Sequence, residues 1–100
     1  MYARVRTFEG MMTDHVDEAV RVAREEFIPA VQQSGGFEGM YILADRESGK
    51  ALSVTFWSTR EAMQATEEQA DRSSEEAARD AQGRLTNVER YEVVLSPQQA

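Results

Sequence analysis

Residues 2 to 9, YARVRTFE, alternate with a period of two. This sets Tyr2, Arg4, Arg6 and Phe8 on one side of a strand and Ala3, Val5 and Thr7 on the other. Gly10 closes the run. Thr13 then offers a helix N-cap, with Asp14, Asp17 and Glu18 in the first turns, where the helix dipole favours negative charge. Beyond it the period lengthens. Val16, Ala19, Val20, Ala23, Phe27 and Val31 recur at three- and four-residue steps, an apolar stripe along one helix. Pro29 falls inside that stripe and removes a helical hydrogen bond, which predicts a kink near Ile28. Ser34-Gly35-Gly36 stops the helix.

The second half repeats the alternation of periods. FEGMYILAD (37 to 45) and KALSVTFW (50 to 57) read as two strands around the turn RESG, in which Gly49 can take positive φ. A second helix follows from Ser58 or Thr59, since Ser58 and Glu61 match the capping-box spacing, and it is expected to run to about Ala81 before Gly83. Its expected buried face, Ala62, Met63, Thr66, Ala70, Ala77 and Ala81, is small and weakly apolar. NVERYEVVL (87 to 95) is the last predicted strand.

The order is β-α-β-β-α-β. With right-handed crossovers it gives an α+β fold, a ferredoxin-like antiparallel four-stranded sheet with both helices on one face. The third strand sets Leu52, Val54 and Phe56 against Ala51, Ser53, Thr55 and Trp57, and the fourth is apolar on both sides as well. Two helices cover one face, so the other leaves an apolar patch for which a second copy of the sheet is the natural cover. A homodimer through the sheet face is expected.

Composition narrows the partners. One hundred residues without repeat or linker are expected to form one domain, 1–100. A net charge of −7 repels phosphate backbones and anionic lipid, so neither nucleic acid nor a membrane is an expected partner. The chain has no cysteine, which excludes disulfides and thiolate metal sites, and its single histidine cannot supply a zinc or non-haem iron triad; no metal is expected. No apolar run approaches the ~20 residues of a membrane span, and MYARVRTFEGMM lacks a signal-peptide layout. A cytoplasmic location is the expectation.

Few side chains carry chemistry. Trp57 closes the third strand either as a packing wedge with its N–H satisfied nearby or as a surface for stacking a planar substrate. His15 lies near a helix N-terminus, where the dipole favours the neutral imidazole, but in an acidic turn that reads as surface. Tyr41 and Tyr91 sit mid-strand and could orient a phenol. Arg4, Arg6 and Arg90 lie on strands with two covered faces and must find partners: Glu38, Glu89 or Glu92 as ion pairs, or negative charge developing on a substrate.

Three stretches, GGFEGMYILAD, ALSVTFWSTREAM and VERYEVVL, together resemble the antibiotic biosynthesis monooxygenase family of the dimeric α+β barrel superfamily. The resemblance implies a homodimer with facing sheets and a pocket in each subunit between helices and sheet. It further implies either a cofactor-independent monooxygenase, or related isomerase, acting on a small planar aromatic or polyketide-like compound, or a non-catalytic small-molecule-binding or assembly barrel. In the first case Trp57, Tyr41, Tyr91 and Arg6 are the substrate-binding candidates. Haem-degrading relatives use a first-strand Asn, a Trp within the second helix and a later His. Those helix positions fall near Thr66 and Glu76 and the first strand has no Asn, so the resemblance disfavours haem degradation.

Overall fold

The structure, a computed structural model, describes residues 1–11, 13–69, 72, 83–95 and 97, with the side chains of residues 13–15 outside that description. The predicted elements form in the predicted order: β1 (Tyr2–Glu9), α1 (Thr13–Val22), a π turn (Ala23–Phe27), α2 (Ile28–Gln32), β2 (Phe37–Asp45), β3 (Lys50–Trp57), α3 (Arg60–Ala65) and β4 (Arg84–Glu92). All pairings are antiparallel, and the strand order is β2-β3-β1-β4, the ferredoxin-like arrangement.

The expected kink takes a specific form. Pro29 has no N–H, and its ring crowds the carbonyl four residues back. The chain widens into a π turn just before it, where the Ile28 N–H reaches the Ala23 carbonyl, and Pro29 then opens α2 at a position that needs no donor. The apolar stripe survives the widening: Phe27 still packs with Val31, Trp57 and Met63. Because the π turn already absorbs the defect, Pro29→Ala is expected to change stability by less than about 1 kcal/mol in urea unfolding. A larger loss would mean that the proline dictates the turn.

The β2–β3 hairpin is tied to the sheet end. Asp45 Oδ1 accepts from the Glu47 and Ser48 amides at 3.0 and 3.4 Å, which holds its carboxyl below the usual range, together with the Ser48 hydroxyl as the leading cause. Gly49, at φ 77°, passes against the Met11 backbone, whose N–H donates to the Gly49 carbonyl at 2.9 Å. A β-carbon at position 49 would lie 3.0 Å from the Met11 oxygen, so glycine is required there.

The helix after β3 takes one of its two expected starts, and the last strand is displaced from its expected range. The second helix is capped by Thr59, whose Oγ1 accepts from the Ala62 amide at 3.1 Å, and not by Ser58; the Ser58 amide instead donates to the Gly36 carbonyl. Its regular ladder stops at Ala65, although helical backbone resumes at 67–69. β4 begins and ends three residues earlier than expected, running Arg84–Glu92 and not 87–95, with a register shift opposite Thr7 and Phe8. The expected course to Ala81, with Ala70, Ala77 and Ala81 buried, lies outside the described residues. Among the described residues no helix is long and apolar enough to cross a membrane.

Candidate functional site

Pairing register arranges the helix-facing side of the sheet into four rows. Across β2, β3, β1 and β4 they read Phe37-Trp57-Tyr2-Glu92, Met40-Thr55-Arg4-Arg90, Ile42-Ser53-Arg6-Val88 and Ala44-Ala51-Phe8-Leu85. The outer rows are apolar at their centres and each anchors a cluster. Trp57 packs with Val31 and Met63, flanked by Tyr2, Phe27, Phe37 and Ala62. Phe8 and Ala51 pack with Met11 and Val16, flanked by Ala19 and Leu85. The two middle rows are polar and divide the core in two. Arg4 and Arg6 lie in that band at 0% and 1% exposure, beside Thr55, Ser53 and Arg90. Burying a guanidinium costs several kcal/mol, which an aliphatic core would avoid. A divided core with buried cations is therefore a candidate site.

Arg4 is the most constrained member. Its Nη1 donates to the Met63 carbonyl at 2.7 Å and its Nη2 to Thr66 Oγ1 at 3.4 Å, while that hydroxyl donates to the same carbonyl at 3.1 Å. The guanidinium carbon lies 5.2 Å from the centre of the Trp57 ring, a cation–π contact. Arg90, opposite Arg4 on β4, pairs with Glu67. The Met63 carbonyl and Thr66 meet Arg4, and Glu67 pairs with Arg90, because the helix crosses directly over the band.

Trp57 is fully buried. Its Nε1–H donates to Thr55 Oγ1 at 3.0 Å, and Phe37 meets it edge-on with ring centres 5.3 Å apart. A bulge at Glu38 makes that contact possible. Phe37 faces Trp57 while Gly39 faces Phe56, so β2 carries one extra residue and Phe37 and Met40 share the helix side. Gly36 precedes the bulge at φ 78°, where a β-carbon would come 2.5 Å from the Ala62 methyl.

The four sequence candidates do not converge. Trp57 and Arg6 face the helices; Tyr41 and Tyr91 lie on the opposite side of the sheet, 65% and 52% exposed. Tyr41 meets Phe56 edge-on at 6.1 Å, and the Tyr91 hydroxyl donates to Glu89, which pushes its pKa above the ordinary phenol value. The period-two alternation already separates them from Arg6 once register is known. Arg4, Thr55 and Thr66 belong to the site in their place. Arg4 was legible from its shared face with Arg6, and Thr66 from its place on the expected buried face of the helix; that the two meet was not, since only tertiary packing brings Thr66 to the band. The side chain of His15 and the helix position near Glu76 lie outside the described residues. Among the described residues no three His, Asp or Glu side chains gather as a metal site would require.

No protein-family model matches the chain. Two uncharacterized proteins of Mycobacterium tuberculosis (strain H37Rv) are similar to it. One is 33% identical over 95 residues, 95% of this chain and 39% of that protein. The other is 35% identical over 69 residues, 69% of this chain and 30% of that protein. The chain thus spans about a third of the length of these curated relatives. Solved structures match over nearly the whole chain. A Deinococcus radiodurans protein assigned as an antibiotic biosynthesis monooxygenase superposes with a TM-score of 0.70 at 15% identity, covering 96% of this chain and 95% of that one. SnoaB, a cofactor-independent oxygenase from Streptomyces nogalater, gives 0.69 at 11% identity with the same coverage. The haem degrader MhuD of Mycobacterium tuberculosis, with two haems bound in its active site, gives 0.61 at 25% identity, covering 96% and 98%. Dimeric ferredoxin-like proteins from uncultured marine organisms share the arrangement too, with TM-scores of 0.67 and 0.68 at 12% and 10% identity, each covering at least 95% of both chains. The chain shares the fold of these solved antibiotic biosynthesis monooxygenase and dimeric ferredoxin-like structures.

Proposed function

We propose that the chain is a cofactor-independent monooxygenase acting on a small planar aromatic, polyketide-like compound, as a homodimer joined through the sheet face. The observation that carries this reading is the band of buried arginines beside Trp57, on the side of the sheet that the helices cover. A phenol whose ring carries an activated methylene loses a proton to give a phenolate, and that electron-rich anion is the species able to react with O₂. The methylene becomes a carbonyl; one oxygen atom is retained in it and the other leaves as water, with all four electrons drawn from the substrate. The chain's part is electrostatic. Arg6, held at 1% exposure, supplies fixed positive charge for the phenolate in a place screened from water, where such an interaction is worth more than in solvent. Trp57 and Phe37 supply aromatic surface at one end of the band, where Trp57 meets Arg4.

Oxygen consumption with anthrone- and tetracenone-type phenols, without added cofactor, tests it. The expected result is uptake of one O₂ per substrate, with kcat/KM lowered at least ~100-fold in Arg6→Gln and retained in Trp57→Phe. No uptake across the panel would favour the second reading, a non-catalytic small-molecule-binding or assembly barrel. That reading has its own support: Arg4 and Trp57 are both engaged in holding α3 against the sheet.

A further inference from the structure

The second helix does not simply end at Ala65. Thr66 leaves helical geometry at φ −106° and ψ 2°, and helical backbone then resumes at 67–69. In an unbroken helix the Glu67 amide would donate to the Met63 carbonyl. That carbonyl instead receives Arg4 Nη1 and Thr66 Oγ1. Immediately beyond the break, the Glu67 carboxylate is taken by Arg90. Arg4 and Arg90 are direct partners on β1 and β4. Two opposed arginines of the sheet therefore hold the helix on either side of one interrupted turn, the first at a backbone carbonyl and the second at a side chain.

We propose that Arg4 and Arg90 are positioning residues that form a two-point clamp: together they break the second helix at Thr66 and hold the turn at 67–69 that follows it against the polar band. Nothing local demands the break. The run REAMQATEEQA contains no proline or glycine, and its Ala, Met, Gln and Glu residues favour a continuous helix. The cause is long-range. A buried cation at the last carbonyls of α3 sits where the helix dipole is negative, and it serves there as a cap supplied from 59 residues away in sequence. The inference concerns the wall of the candidate site and holds whichever chemistry the site performs.

Amide hydrogen exchange on the whole chain reads the clamp residue by residue. In Arg4→Met the Met63 carbonyl is released to the Glu67 amide, whose exchange is expected to slow by about tenfold as the helix runs through. In Arg90→Gln the second grip is lost, and amides 67–69 are expected to exchange several-fold faster while those of α3 keep their rates. Glu67→Gln should reproduce Arg90→Gln, and the double variant should add nothing further. A Glu67 amide that exchanges unchanged in Arg4→Met, or that speeds up together with all of β1 and α3, would overturn the clamp and make Arg4 a packing residue. Should Arg4→Met fail to fold, Thr66→Ala removes only the local hydroxyl donor to that carbonyl and leaves Arg4 Nη1 on it. A Glu67 amide that exchanges unchanged there supports the clamp, and slowing at Glu67 overturns it by making the break a local effect of the threonine.

Discussion

Replacing Trp57 with alanine is expected to lower the unfolding free energy by about 3–5 kcal/mol, the range for removing a buried aromatic and leaving a cavity. Three losses combine. The indole fills the corner formed by Val31, Met63 and Phe37, so its removal strips one of the two apolar clusters of its largest member. Thr55 Oγ1, on a residue 1% exposed, loses its donor. The Arg4 guanidinium loses the ring beneath it, in a place where water does not replace the contact. Trp57→Phe keeps most of the volume and should cost far less, about 1–2 kcal/mol for the missing hydrogen bond and the smaller ring. Urea unfolding of the three proteins measures both differences. If Trp57→Ala cost no more than Trp57→Phe, the ring would be serving a ligand and not the corner.

Much of this fold is visible in the hydropathy pattern because strands and helices write different periods into it. The row Tyr2, Arg4, Arg6, Phe8 was readable without knowing any partner, since adjacent strand residues must point to opposite sides. The row Ala51, Ser53, Thr55, Trp57 was readable on the same ground. What the pattern lacks is register. Tyr41 looked like a companion for Arg6 until pairing set it opposite Val54, on the far side of the sheet from the helices. The π turn was legible only as a disturbance near Pro29, because the ring's clash fixes that the ladder must change but not which way it yields. The break at Thr66 left no local trace at all. Its cause, a guanidinium on β1, becomes neighbour to Met63 only after both elements pack on the same sheet. The site was therefore half legible: the arginines from alternation, their purpose from topology.

The other large effect is expected on the face that the helices leave bare. Its rows read Gly39-Phe56-Ala3-Tyr91, Tyr41-Val54-Val5-Glu89 and Leu43-Leu52-Thr7-Asn87 across the four strands. Tyr41, Leu43 and Tyr91 stand more than half exposed there in the single chain. An apolar surface of that breadth on a sheet is what a second copy would bury, and Glu89 in its middle row already has the Tyr91 hydroxyl as a donor. Val54 lies near the centre, between Tyr41 and Val5. Under a covering sheet, Val54→Asp places a carboxylate with no donor in a dry interface. The dimer should then weaken at least ~1,000-fold, on the order of 4 kcal/mol. Light scattering at high micromolar concentration would find the wild type at twice the 11.3 kDa chain mass and the variant at the single mass. On a bare face the same substitution would be a surface change, worth about 0.5 kcal/mol or less in unfolding. A wild type that scatters as a single chain at that concentration removes the sheet-face dimer, and Val54→Asp should then unfold almost as the wild type does.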